Sequence, residues 1–257
     1  MTDAGIVDLA PLLDTDEPQA MLEQLIDDRD QLSDAIASLC RTDPVHPLAS
    51  VALGASVPAP GKVLCVMRNR PALDESSSPP WAYLKYTGGG VGTEAGLQFP
   101  PGERNLRLEP ELAVVIRGPA RDIPADAWRD AVFGYTGFLD VVRPGSSLGP
   151  AEGDDWWKSW DTAFAVGPTI VTDLDAGEPG AGLSLDVTDA SGTVSAADPG
   201  QPPLGEIIAF LSSVMTLRSG DLIACGAHEA AVIAAAPGSR AQLRLPGCGS
   251  LQVEATA

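Results

Sequence analysis

The chain has 257 residues with 35 acidic against 16 basic side chains, and its formal net charge of -19 argues against nucleic acid or an anionic membrane surface as a partner. With 44% hydrophobic residues it can bury a large core, as one big domain or one domain plus a small appendage. No basic run followed by an apolar core opens the chain, and no apolar stretch approaches the length of a membrane span, so a soluble cytoplasmic protein is expected. Cys40, Cys65, Cys225 and Cys248 are scattered singly without a CxxC pair, which indicates neither a zinc site nor a disulfide framework.

In chain order, Asp16-Glu17-Pro18 forms a helix entry, with acids at the positive dipole end and proline in the first turn. Met21, Leu22, Leu25 and Ile26 then fall on one face, and Leu32, Ile36, Leu39 and Cys40 continue the period. One or two amphipathic helices are expected before Pro44. Residues 44–60, rich in Pro and small side chains, suggest a short strand around Val51 and Leu53 and then a linker, so residues 1–60 form a small N-terminal domain and 61–257 the main one.

From there the chain turns strand-like. Val63–Met67 is a continuous apolar run, as expected of a strand buried on both faces. Residues 81–86 make a second candidate, followed by a turn at Gly88-Gly89-Gly90, which lacks the GxxxxGK[ST] order of a phosphate-binding loop. Further strands are expected at Leu106–Ile116, Val132–Val142, 163–171, 183–187, Leu222–Ala224 and 242–245, with helices at 124–131 and 204–211. Many strands, few helices and abundant Gly and Pro define a mainly β, α+β fold with peripheral helices.

Within LRLEPELAVVI, Glu109 and Glu111 stand two residues apart, so in a strand they project side by side. In a partly dry site such a pair needs a proton or a cation between its members, and a hard divalent metal would serve. Spacing alone favours the plainer reading, a solvated strand end in an acidic protein.

The ordered series KVLCVMRNR, YLK, EPELAVVI, GYTGFLDVV, KSWDTAFAVGP and EIIAFLSSVMTLRSGDLIACG closely resembles the fumarylacetoacetate hydrolase family, from about Pro60 to the C-terminus. The resemblance implies a mixed β-sheet roll, usually a homodimer, behind a small N-terminal domain, with bound Mg²⁺ or Mn²⁺. It implies metal ligands at Glu109, Glu111 and Asp140. It further implies that the metal polarises the carbonyl of a small-molecule 2-oxo acid or β-diketone and stabilises the enolate formed when a C–C bond breaks or a proton leaves. Lys158 falls on the family lysine of "gKsfD", with Asp161 behind it, where its charge would neutralise the enolate or the substrate carboxylate. Lys85 matches the lysine of "FLKP", and Arg143 lies close to the arginine of "DVSARD", with one residue missing.

Departures bear on the reaction. Family members that hydrolyse C–C bonds carry a His and a Glu in "NYxxHxxE" that activate water, whereas here the His position is Leu73 and the segment before Tyr83 is short. Asp74 or Glu75 would be a substitute base, against the alternative of a solvent-facing loop acid. The family's "TGTP" has become Cys225-Gly226-Ala227-His228, and His228, one of two histidines with His46, is either a relocated acid/base or a loop residue with no role. The acidic segment 152–160, with Trp156, Trp157 and Trp160, is either a substitute lid or a packed surface loop. Two classes of function follow: an enzyme performing decarboxylation, isomerisation or C–C cleavage, or an altered member such as a cyclase or a binding scaffold. Retention of Glu109, Glu111, Asp140 and Lys158 together favours the enzyme.

Overall fold

The computed structural model describes residues 5–42, 46–67, 81–143, 158–175, 178–198, 200 and 202–256. Two helices come first, α1 (Pro18–Asp27) and α2 (Arg29–Thr42). The Glu17 carboxylate caps α1 by accepting from the amides of Gln19 at 3.2 Å and Ala20 at 2.7 Å, and Pro18 costs nothing at a position whose N–H has no helical partner. Ile26 of α1 is fully buried beside Val57 and Val63. No strand forms around Val51 and Leu53: a 3-10 turn at Leu48–Ser50 is followed by irregular chain. The prolines at 44, 47, 58 and 60 lack the amide donors that a ladder requires.

Among the described residues thirteen strands follow: β1 (Val63–Met67), β2 (Trp81–Lys85), β3 (Gly90–Val91), β4 (Ala95–Gln98), β5 (Leu106–Ile116), β6 (Val132–Val142), β7 (Phe164–Val171), β8 (Ser184–Asp189), β9 (Gly192–Ala197), β10 (Leu222–Ala224), β11 (Ile233–Ala235), β12 (Arg240–Leu245) and β13 (Gly249–Thr256). A third helix, α3 (Leu204–Val214), lies between β9 and β10. The segment 124–131 forms a 3-10 helix at Ala125–Ala131 instead of an α-helix. Among the described residues no helix is long and apolar enough to cross a membrane.

The strands form two mixed sheets, one in the order β2-β1-β10-β5-β6-β7-β3 with β11 paired to β5, the other β4-β13-β12-β8-β9. Almost every side chain of β5 and β6 is buried, with both faces largely apolar in β6 and in residues 112–116 of β5, while the first half of β5 carries Arg107, Glu109 and Glu111 on one face. One face of β5, with Leu108, Leu112 and Val114, joins α3 and the five-stranded sheet in the larger core. The other, with Ala113 and Val115, meets Cys65, Phe138 and Phe164 in a second core inside the roll. Phe138 and Phe164 stack there at 5.0 Å between ring centroids.

Side-chain contacts reveal the curl of the first sheet. Neighbouring strands lie about 4.8 Å apart, so a flat sheet would hold β2 and β6 roughly 19 Å from each other. Yet Lys85 on β2 forms an ion pair with Asp140 on β6. The sheet is therefore rolled, and β3, the strand after β2, closes onto β7 at the far edge. Gly90 permits that closure, because a Cβ there would stand 2.5 Å from the Phe164 ring.

Candidate metal and substrate site

Three carboxylates converge on the inner face of the roll. Glu109 and Glu111 share a face of β5, and the β5–β6 register sets Glu109 directly opposite Asp140. An oxygen from each of the three lies within 4.8 Å of the others. Glu111 and Asp140 are buried, and Glu109 is partly so.

Two buried ammonium groups hold Asp140 from either side. Lys85 Nζ pairs with Oδ1 and also donates to the Val141 carbonyl at 3.3 Å, while Lys158 Nζ donates to Oδ2 at 2.8 Å. Lys158 reaches on to Glu109 Oε2 at 3.1 Å, so one charge bridges two of the acids. The Tyr83 hydroxyl donates to Asp140 Oδ2 at 2.8 Å, and the Gly226 amide donates to Glu111 Oε2 at 2.6 Å. Lys158 Nζ also lies 5.1 Å from the centre of the Tyr83 ring.

Proton affinities follow from these contacts. Burial first, and the Asp140 charge second, raise both Glu109 and Glu111 above the ordinary glutamate value, with Lys158 opposing. Burial alone would raise Asp140 as well, but Lys85 and Lys158 together outweigh it and hold this carboxyl below its usual range. Burial works against the Lys158 ammonium, yet the charges of Asp140 and Glu109 overcome it and raise its pKa. Burial and then the Asp140 charge also raise the Tyr83 phenol, which stays a hydrogen-bond donor.

Three oxygen donors converging from two strands, two of them with raised proton affinity, are the ligand set a hard divalent cation takes. The residues fit Mg²⁺ or Mn²⁺. Glu109 and Glu111 open on a cavity of about 220 Å³ whose walls include Tyr83, Arg107, Lys158, Gly226 and Glu229, while Asp140 is fully buried and absent from its wall. A larger groove of about 560 Å³ lies on the five-stranded sheet, where its arginines are already paired, Arg240 with Glu254 and Arg244 with Asp186. It holds no convergent carboxylates of the kind seen in the roll.

Of the residues singled out from sequence, Glu109, Glu111, Asp140, Lys85 and Lys158 come together. Arg143 is buried, with Nη1 4.0 Å from Glu103 Oε1, and is absent from the cavity wall. Asp161 is exposed on a turn and makes no ion pair with Lys158. His228 turns its Nδ1 back to accept from the Ala230 amide at 3.1 Å, capping the turn Glu229–Ala231, and does not line the cavity. Leu73, Asp74, Glu75, Trp156 and Trp157 lie outside the described residues. Tyr83, Arg107 and the Gly226 amide were not singled out. Strand alternation carried a signal for the first two, which sit at i−2 from Lys85 and Glu109. The segment in place of the family's TGTP marked the loop of Gly226 but not the use of its amide.

The fold is thus a rolled mixed sheet with an acidic, lysine-braced centre. The chain belongs to the fumarylacetoacetate hydrolase family: the family model, described as fumarylacetoacetate (FAA) hydrolase C-terminal, matches residues 59–255. Protein Rv2993c of Mycobacterium tuberculosis is 33% identical over 224 residues, covering 80% of this chain and 78% of the relative. The bovine (Bos taurus) mitochondrial oxaloacetate tautomerase FAHD2A is 29% identical over 234 residues, covering 86% of this chain and 73% of the relative. The maleylpyruvate hydrolase of Sphingobium sp. SYK-6 has a solved structure that superimposes with a TM-score of 0.80 at 28% identity, covering 100% of this chain and 94% of that one. A second structure of that hydrolase, in complex with manganese(II) and pyruvate, superimposes at 0.79 with 26% identity and the same coverage.

Proposed function

We propose that the protein is a divalent-metal-dependent enzyme that acts on a 2-oxo acid through an enolate, favouring proton transfer or decarboxylation over hydrolysis of an acylpyruvate. The observation that carries this reading is the trio Glu109, Glu111 and Asp140 beside an ammonium group, Lys158, that is buried and held charged. Glu109, Glu111 and Asp140 would hold Mg²⁺ or Mn²⁺. When bound, the cation would supply Lewis-acid charge at the substrate carbonyl.

The chain's own residues account for the rest. Lys85 and Tyr83 fix both oxygens of Asp140, so its carboxylate keeps one orientation while substrate exchanges. The Gly226 amide does the same for Glu111. Lys158, whose neighbours keep its proton on, acts as a fixed positive charge for a developing enolate oxygen and not as a base. Decarboxylation of a carboxylate β to the keto group needs no activated water: as that C–C bond breaks and CO₂ leaves, its electrons form the enolate C=C and the carbonyl π electrons move onto oxygen. Loss of the water-activating His, with Leu73 in its place, removes a contribution of typically about 10² to 10⁴ in rate from hydrolysis, and none from loss of CO₂, whose bonding electrons form the enolate without a base; proton transfer would still need an acceptor for the α-proton. The tautomerase and the manganese-bound, pyruvate-bound hydrolase among the relatives support this chemistry by analogy.

The test is incubation of Mg²⁺-loaded protein with oxaloacetate and, separately, acetylpyruvate, following enol absorbance and CO₂ release. Turnover of oxaloacetate with slow or no acetylpyruvate cleavage is expected. Fast acetylpyruvate cleavage that disappears in Glu75→Ala or His228→Ala would show a substituted base and overturn the preference. We also propose a homodimer, supported by the exposed Leu84 and Tyr86 at the β2 edge of the roll.

A further inference from the structure

Arg107 stands on the same face of β5 as Glu109 and Glu111, one alternation nearer the cavity mouth. Its guanidinium is only half used. Nη2 contacts Glu229 Oε2 at 3.2 Å and Oε1 at 3.4 Å, and Glu109 Oε1 at 3.5 Å. Nε, on the same edge of the guanidinium as Nη2, is buried and has no hydrogen-bond partner. A buried donor left unmet costs free energy. The Nε/Nη2 edge is the fork that grips a carboxylate through two parallel hydrogen bonds.

Glu229 is a poor final partner for that fork. Its side chain is 76% exposed, so its pairing with Arg107 is solvent-screened and weak, and both of its contacts fall on Nη2. It sits on the short 3-10 turn Glu229–Ala231, just after the Gly226 amide that holds Glu111. Opposite Arg107 across the β5–β11 ladder stands Ala234, whose small side chain leaves the guanidinium room to turn.

We infer that Arg107 is a specificity-determining residue that anchors a second, distal carboxylate of the substrate, and that Glu229 occupies that subsite until a ligand displaces it. The substrate class is then a 2-oxo dicarboxylate, its 2-oxo acid end among Glu109, Glu111, Asp140 and Lys158 and its far carboxylate on the Nε/Nη2 edge. This rests on the proposed 2-oxo acid chemistry and adds to it the group at the mouth that discriminates.

The test is calorimetric binding to Mn²⁺-saturated full-length protein of two five-carbon probes, 2-oxoglutarate and 2-oxopentanoate, which differ in the distal carboxylate. Gaining a bidentate charge-assisted contact should favour the dicarboxylate by roughly tenfold to a hundredfold. In Arg107→Met the ratio of the two affinities should fall to about one. In Glu229→Gln, a change at an exposed side chain that leaves folding alone, the ratio should rise as the competing carboxylate is removed. Equal binding of both probes by the parent, or an unchanged ratio in Arg107→Met, would overturn the role of Arg107 and leave the 2-oxo acid reading standing. Failure of both probes to bind the Mn²⁺-loaded parent would overturn that reading and this inference with it.

Discussion

Glu109 and Asp140 are direct partners across the β5–β6 ladder, and Lys158 Nζ lies between them, 3.1 Å from one and 2.8 Å from the other. Like charges directly opposite each other in a sheet are destabilising, and here a third acid, Glu111, adds to the repulsion. The two lysines supply two positive charges against three acids, with Arg107 at the rim. That balance explains why two of the carboxyls hold protons more tightly than usual and why a cation would be welcome.

Titration of metal-free protein with Mn²⁺ is expected to show about one site per chain, lost in Glu111→Ala. Because Glu109 and Glu111 sit above their ordinary value, binding must displace protons. Affinity should therefore rise with pH above 4.5, and calorimetry in two buffers of different ionisation enthalpy should register proton release. An affinity independent of pH, or full binding by Glu111→Ala, would place the site elsewhere.

Stability without metal should carry the same signature with a definite sign. A carboxyl whose folded pKa is raised makes the folded state bind the proton more tightly than the unfolded one, so stability falls as pH rises from the unfolded value through the folded value. Glu111→Gln, which keeps an oxygen for the Gly226 amide, should then stabilise the chelator-treated protein by a margin that grows as pH increases above 4.5. Asp140 has the opposite sign. Its lowered pKa contributes stability that is present above 3.8 and lost as pH falls through its folded value. Thermal melts of parent and Glu111→Gln across pH 4 to 8 read the first effect, and a margin that shrinks with pH would contradict it.

Lys158→Met should separate binding from turnover. Removing a charge aimed at the developing oxyanion typically costs about 10² to 10³ in kcat. The same change removes a cation that competes for Glu109 and Asp140, so Mn²⁺ should bind more tightly. Loss of both activity and metal affinity would mean that Lys158 only holds the acids in place.

Light scattering at micromolar concentration should report twice the mass of one 26.5 kDa chain. A mass near that of one chain would refute the dimer. Substituting the exposed Leu84 by Glu should weaken association if the β2 edge is the contact.

The amino-acid order by itself determined what rests on local periodicity. β5 and β6 were legible to the residue, β6 and the second half of β5 as largely apolar runs buried on both faces, and the first half of β5 by the alternation of Leu106 and Leu108 with Arg107 and Glu109. The Glu109–Glu111 pair was legible because alternate strand residues share a face. Other strands escaped for local reasons: β9 is almost wholly exposed and has no apolar pattern, and β3 is two residues long. In β13 the alternation of Leu251, Val253 and Ala255 was present but lay behind a Pro- and Gly-rich turn.

Only the tertiary structure decided which charges meet. Lys85 and Asp140 are 55 positions apart, Glu111 and Gly226 are 115 apart, and Arg107 and Glu229 are 122 apart. Their contacts depend on the strand order and on the curl that folds β2 over β6, which is set by packing of the whole sheet around its two cores. The same curl left Asp161 in solvent and turned His228 into a cap, although both lie within three residues of a side chain or amide that reaches the site. Hydrophobic pattern specifies which face of a strand is buried; the roll specifies which buried faces look at one another.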